Sequence, residues 1–419
     1  MNENLISVLN KLRGFDEVEV GENKVTRLLI KFVNSEVATI QKLIDVNYGI
    51  MVRKGNRYFM YSGTNLDVEE AKNGFEVSSG AQLYPILSRN DREFVIDQNN
   101  ENLREIVEKE RIDGIISEIG KAELPISGVI SIYETTTNLV TSYGFNGSER
   151  RYKIDGYVRA FNKEYSGQWA FFSESPNDIK DTIKKAVEFA SITNRVKLDD
   201  GKYNVVMSPL VVANLMGFFA DFASAFSVIT GSSFLAKFKV GDRIASDLLT
   251  ISDIPIKAGI RSFDDEAEFT RDKKIIDSGI FQSLLFNNEL GQLMGQKSTG
   301  NAGIISPNAF AIDLQEGNMG VESMTSGNVI LLNNVWYTRF QNYYEGSFST
   351  VGRDAVVVYK DGKPIGVADR IRISDTLPNI LRNVQALSKE KYGIRWWDAT
   401  LPTYSPFILV ENVNISSSK

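Results

Sequence analysis

A mixed α+β fold is what this sequence predicts, on three observations. Short runs rich in β-branched and aromatic residues, parted by glycines, outnumber the helical stretches. The strands come in groups followed by single helices, with few of the strand–helix–strand alternations that a doubly wound parallel sheet needs. One long apolar helical pattern, residues 211–231, lies inside a strand-rich second half. The expected architecture is an N-terminal region of antiparallel strand meanders with packing helices over 1–198. A C-terminal β-rich domain with one buried apolar helix follows over 199–419. At about 150 residues per domain the length suits two or three units.

The elements follow in order. Residues 5–12 place Leu5, Val8, Leu9 and Leu12 on one helical face. Strand-like runs come at 25–33, 36–45, 49–53 and 57–61. Thr64-x-x-Asp67 then resembles a helix start leading into 68–72. A second pass has a helical stretch at 101–109 and strand runs at 129–134, 139–143, 151–162 and 168–172. Ser175-Pro176-Asn177 then precedes a helix at 179–191. Meander followed by helix thus occurs twice, at about 1–75 and 100–193, which suggests a structural duplication without an obvious sequence repeat. Asp199-Asp200-Gly201 is a turn signal and marks the boundary. A strand at 203–208, the apolar helix and a region dense in Gly, Asn and aromatics (Trp336, Tyr337, Tyr343, Tyr344) complete the chain, with 416–419 read as a polar tail.

The apolar stretch has the length of a bilayer span. Asp221 sits at its centre, however, and Leu215, Phe218, Phe219, Phe222 and Phe226 recur on one face. A core helix accounts for this better, and no membrane association is expected.

The chain contains no histidine and no cysteine. This excludes a Ser-His-Asp triad, a cysteine nucleophile, a redox dithiol and a Cys/His zinc site. A metal would have to sit on oxygen ligands, which favours magnesium or calcium. Lys and Arg total 47 against 53 Asp and Glu, a formal charge of −6, which speaks against a nucleic-acid partner. No basic-then-apolar leader is visible and no disulfide framework exists, so a cytoplasmic location is expected.

Neither Gly-x-Gly-x-x-Gly nor Gly-x-x-x-x-Gly-Lys-Ser/Thr occurs. Ser-x-x-Lys occurs at Ser388…Lys391, read as a solvated helix end, and at Ser416…Lys419 in the tail. The densest carboxylate group is Asp264-Asp265-Glu266, with Glu268 and Arg271 near. It suits a hard metal or an acid/base pair. The plainer reading is a solvent-facing loop in which Arg271 pairs one carboxylate, since adjacent strand residues point to opposite faces. The run Ser298-Thr299-Gly300-Asn301-Ala302-Gly303 is either an ordinary loop or a backbone that approaches a ligand or another chain closely.

Several segments together resemble one family. They are Gly241…Ala245-Ser246…Leu249-Thr250-Ile251, Phe263-Asp264-Asp265-Glu266 and Ile275-Ile276-Asp277-Ser278-Gly279-Ile280. Leu293-Met294-Gly295…Ser298-Thr299-Gly300-Asn301, Gly346-Ser347-Phe348-Ser349 and Ser405-Pro406…Val413 follow in the same order. From Tyr203 onward the chain is similar to the TldD/PmbA family, also called TldD/TldE. The resemblance implies a pair of related subunits. The TldD type carries His-Glu-x-x-x-His on a helix and a later cysteine, and the PmbA/TldE type lacks those ligands. Aligned on Asn214-Leu215-Met216, the motif falls on Gly217 to Phe222. Gly217 and Phe222 stand for the two histidines and Phe218 for the glutamate, while the cysteine region falls near Trp396-Trp397-Asp398. Ala267 stands where the family usually shows Gly after Asp-Asp-Glu.

The expectation is therefore a non-catalytic, TldE-like subunit of a cytoplasmic metallopeptidase complex. It would carry no catalytic residue and no cofactor, with zinc only in a His-bearing TldD-like sibling. It would enclose a shared cleft and hold unfolded peptide by main-chain pairing to a strand edge. Cleft positions would be Ser298, Thr299, Gly300, Asn301, Asp264 and Glu266, with 336–344 as a further wall. Two alternatives stay open. One is a homodimeric peptide-binding or regulatory protein without a protease role. The other is an independent hydrolase that uses Asp264, Asp265 and Glu266 with a hard metal.

Overall fold

The computed structural model describes residues 2–303, 306–368 and 371–417. Helix α1 (Glu3–Lys11) precedes a meander of β1 (Glu17–Val33), β2 (Glu36–Lys54) and β3 (Arg57–Gly63), which α2 (Val68–Val77) closes. Asp67 starts α2, its side chain accepting from the Glu70 N–H at 2.9 Å. The stretches read as 36–45 and 49–53 are one strand. Gly49 lies opposite Gly21 and Ser62 in an unbroken ladder, so it continues the strand.

After β4 (Glu93–Asp97) come α3 (Glu101–Lys109) and α4 (Asp113–Gly120). Helix α4 is an addition to the expected elements, although Ile112, Ile115, Ile116 and Ile119 already carry the helical spacing. The second meander is β5 (Ile126–Thr141), β6 (Asn146–Asn162) and β7 (Tyr165–Ser173), followed by α5 (Asp178–Ala190). Strand β5 absorbs both 129–134 and the start of 139–143, because the β-branched Thr135, Thr136 and Thr137 between them sustain the ladder with β6. Strands β1 and β5 pair antiparallel, so the two meanders meet through their first strands in one sheet ordered β3-β2-β1-β5-β6. On the far side of β6, β4 pairs its first part and β7 its last.

The second sheet starts with β8 (Arg195–Val196) and β9 (Gly201–Met207), so the change of sheet falls a few residues before 199. Helix α6 (Pro209–Phe222) follows, with Ser208 as its cap and Pro209 in its first turn. The apolar pattern does not run on to 231. The backbone of Ala223 and Ala225 exchanges hydrogen bonds of 2.8 and 3.0 Å with Leu285, which pulls the chain out of the helix before α7 (Ala225–Ile229). Among the described residues no helix is long and apolar enough to cross a membrane.

Three short strands, β10 (Ile251–Asp253), β11 (Lys273–Asp277) and β12 (Ile280–Phe281), precede α8 (Asn288–Leu293), β13 (Ile312–Leu314) and α9 (Val321–Met324). Then come β14 (Val329–Asn342), β15 (Ser347–Lys360), β16 (Lys363–Ala368), β17 (Ile371–Thr376), α10 (Leu377–Arg382), β18 (Val384–Trp396) and β19 (Ala399–Ser417). Ser416 and Ser417 belong to β19, pairing with Arg372 and Ile371, and 418–419 lie outside the described residues. Ser388 is a buried strand residue, not a helix end. Its hydroxyl donates to the Glu390 carbonyl at 2.7 Å and accepts from the Phe407 N–H at 2.9 Å.

Helix α6 packs on β19 and β14. One apolar cluster spans both sheets, joining Ile130, Ile154 and Trp169 to Val206, Leu210, Trp396 and Phe407. The halves thus share a core.

Candidate functional site

The sequence points to two places, and the fold assembles each from separate segments. The first lies where α6 meets the tip of the β18–β19 hairpin. Trp396 pairs with Ala399, leaving Trp397 and Asp398 as a tight turn. Asn214 of α6 donates to the Asp398 carbonyl at 2.7 Å and accepts from the Thr338 hydroxyl at 2.6 Å. The Thr350 hydroxyl lies 2.9 Å from that of Thr338. The helix segment 217–222 and the region 396–398 are therefore neighbours, although they are far apart in the sequence.

The side chains there are mostly apolar. Phe222 is 1% exposed and packs edge-on against Phe234, Phe340 and Tyr343, with centroids 5.2, 5.1 and 6.0 Å away. Phe218, half-buried, lies 4.7 Å from Phe340. A Cβ at Gly217 would meet nothing within 4 Å, so that position opens onto solvent. Tyr337 and Trp397 are 62% and 52% exposed, and Tyr337 holds a left-handed φ of 61°, uncommon for an aromatic residue.

Asp398 is the unexpected member. One of its carboxylate oxygens is buried without a hydrogen-bond partner among the described residues, as are the indole nitrogens of Trp336 and Trp396. Burial pushes its pKa up to about 6, with Arg339 pulling the other way. Asn214, a lone amide in an apolar helix, was the sequence signal for this place. The residues do not fit a zinc ion, which needs imidazole, thiolate or carboxylate ligands. Gly217, Phe218 and Phe222 offer no donor. Among the described residues no three Cys, His, Asp or Glu side chains converge on one point.

The second place joins the halves. Asp264 is fully buried and ties two loops. One oxygen accepts from the Glu266 and Glu268 N–H groups at 3.0 and 2.9 Å, the other from the Ala302 N–H at 2.8 Å. Burial raises it to about 7 despite those bonds. Glu266 is buried too and accepts from the Asn288 N–H at 2.8 Å, while its carbonyl takes the Ser88 N–H. The solvent-facing loop is thus corrected. Among the described residues Arg271 pairs no carboxylate; it donates to the Ser298 carbonyl at 2.6 Å, and Asp265 pairs with Arg261 at 2.6 Å. Ala267 has a φ of 60°, the conformation in which a glycine is unstrained.

Ser298, Thr299, Gly300 and Asn301 are all buried and do not line an open cleft. Asn301 donates to Asp253 at 2.7 Å and to the Asn308 carbonyl at 2.8 Å, and accepts from Thr299 at 2.7 Å. Gly300, at φ 70°, leaves no room for a Cβ, which would stand 2.5 Å from the Phe269 carbonyl. The close backbone approach read from this run is made to the chain itself. Two cavities flank the nearby segment 84–92. One of about 840 Å³ is bordered by Glu17, Arg53, Ser88 and Glu268. The other, about 180 Å³, is bordered by Glu19, Glu266 and Glu289.

Comparisons with known proteins bear on the family and the fold. Residues 200–417 match the family model of the PmbA/TldA metallopeptidase C-terminal domain. The metalloprotease PmbA homolog of Haemophilus influenzae is 29% identical over 32% of this chain and 31% of its own length. That of Buchnera aphidicola is 28% identical over 63% of this chain, so the match spans about half of that relative, 56%. TldE from Thermococcus kodakarensis shares the fold, with a TM-score of 0.83, 19% identity and 99% of both chains covered. A Thermotoga maritima protein described as a candidate modulator of a DNA gyrase superposes equally well, TM-score 0.83 at 20% identity over 99% of both chains. The chain belongs to the PmbA/TldD family.

Proposed function

We propose that this chain is the non-catalytic, TldE-like subunit of a cytoplasmic PmbA/TldD-type peptidase. It helps enclose a cleft and holds unfolded peptide while a sibling bearing His-Glu-x-x-x-His supplies the zinc and the hydrolytic water. One observation carries the reading. Phe222, where the resemblance places a metal-binding histidine of the TldD type, is packed among three aromatic rings. The exposed Tyr337 and Trp397 beside that turn provide rigid apolar contact area for a peptide at low entropic cost.

Affinity capture of the tagged chain from its native cells tests this, with partners identified by mass. Near-equal recovery of a His-Glu-x-x-x-His sibling, with peptide cleavage by the pair and none by the chain alone, is the expected result. Recovery of a self-dimer that binds peptide favours the homodimeric alternative. Turnover by the pure chain in magnesium, calcium or manganese, abolished by Glu266→Gln, would sink the non-catalytic reading.

A further inference from the structure

A third cavity, of about 480 Å³, lies between the β6–β7 hairpin and the bend of β15, and four arginines border it: Arg159, Arg195, Arg353 and Arg372. Among the described residues two carboxylates line it, Glu164 and Asp354. Asp354 is already committed. Its side chain is fully buried, takes Arg159 at 2.6 Å and also accepts from Ser166 and Asn334 at 2.9 and 3.1 Å.

Arg353 and Arg372 are different. Arg353 lies over the Trp336 ring at 4.3 Å, and its buried Nε has no hydrogen-bond partner among the described residues. Among the described residues, the Arg372 side chain has one hydrogen bond, to the Ser349 hydroxyl at 3.4 Å. Neither has a carboxylate within ion-pair distance among the described residues. The sheet sets the two side by side. Arg372 pairs with Val351, and Arg353 is two residues further along β15, on the same face. Trp336, also opposite Val351, forms the wall on which Arg353 is stacked, and it reaches Trp397 at 5.8 Å.

Two guanidinium groups on one face of the sheet, both bordering an open cavity, suit an oxyanion, which accepts paired N–H bonds from a guanidinium. The stacking on Trp336 orients Arg353 before any ligand arrives. We propose that this cavity is an oxyanion-binding site in which Arg353 and Arg372 hold a carboxylate or phosphate group. The chain-end carboxylate of a bound peptide is one source, which rests on the peptide-holding reading above; free inorganic phosphate is the other.

The test uses the full chain and follows tryptophan fluorescence and calorimetric heat. The probes are inorganic phosphate, a short unstructured peptide with a free C-terminus, and the same peptide as its C-terminal amide. Binding of phosphate or of the free-acid peptide, weakened at least tenfold by Arg372→Gln and by Arg353→Met, is expected. Arg372 is exposed and its replacement leaves the core intact, so it serves if the Arg353 variant unfolds; thermal unfolding of each variant is recorded alongside. A free acid binding tenfold tighter than the amide identifies the chain end as the source. Phosphate binding without peptide binding keeps the cavity and removes the peptide-holding reading. Acid and amide binding equally, insensitive to both substitutions and with no phosphate binding, overturns the cavity and leaves that reading in place. No binding of any probe overturns both.

Discussion

Asp398 and Ala267 show how single residues in this chain depart from comfort. A carboxylate with a folded pKa of about 6 binds its proton more tightly folded than unfolded, where about 3.9 is usual. Between those values the native state holds more protons, so stability falls as pH rises from about 4 to 6 and stays reduced above. Asp398→Asn removes the ionisation. Discounted for partial solvent access, the gain is on the order of 1 kcal/mol. Urea unfolding should show it at pH 7.5 and not at pH 4. Ala267 presents a different balance. A left-handed alanine costs about 1–2 kcal/mol. Its buried methyl returns about 0.8 kcal/mol, and glycine's backbone freedom would cost about 0.5–1 kcal/mol. Ala267→Gly should therefore lie within about 0.5 kcal/mol of neutral, which is why alanine is tolerated in this left-handed conformation. Ala267→Val, β-branched at the same φ, should lose over about 2 kcal/mol by the same assay.

At the scale of elements, α6 and the loop 298–301 carry the two places the sequence singled out. One face of α6 is cemented by Phe222. Truncation to alanine leaves a cavity among Phe234, Phe340 and Tyr343 and should cost about 3–5 kcal/mol in denaturant unfolding. A loss under about 1 kcal/mol would mean that the aromatic cluster is not a packed core. The loop 298–301 acts as an internal strut. Gly300→Ala combines a positive φ with contact on the Phe269 carbonyl, so it should destabilise by about 2 kcal/mol or more. If it instead changes peptide binding at unchanged stability, the loop faces a ligand after all. Helix starts were legible where spacing is clear: the stretch read as 101–109 is α3, and the one read as 68–72 opens α2, with Asp67 rather than Thr64 as its cap. Strand lengths were not. Gly49 and the threonines of β5 look like interruptions locally, and only the partner strands make them continuous.

For the whole molecule, buried carboxylates gather where the halves meet. Asp264 and Glu289 are both raised to about 7 by burial, and Glu19 and Glu266 are raised too, Glu19 despite Arg261 nearby. By the sign worked out above, the chain should be more resistant to urea near pH 5 than at pH 8, and a maximum at or above pH 8 would contradict the burial of this cluster. The α+β class, most elements, the missing metal ligands and the family resemblance were all fixed by local order: residue type, spacing and the absence of histidine and cysteine leave no dependence on distant contacts. Tertiary structure alone decided that Asp264 and Asn301 are struts, that Asp398 meets Asn214, and that Arg353 and Arg372 share a face. Burial and proximity come from which strands pair, and a strand's partner in this fold stands as far away in sequence as β9 does from β19.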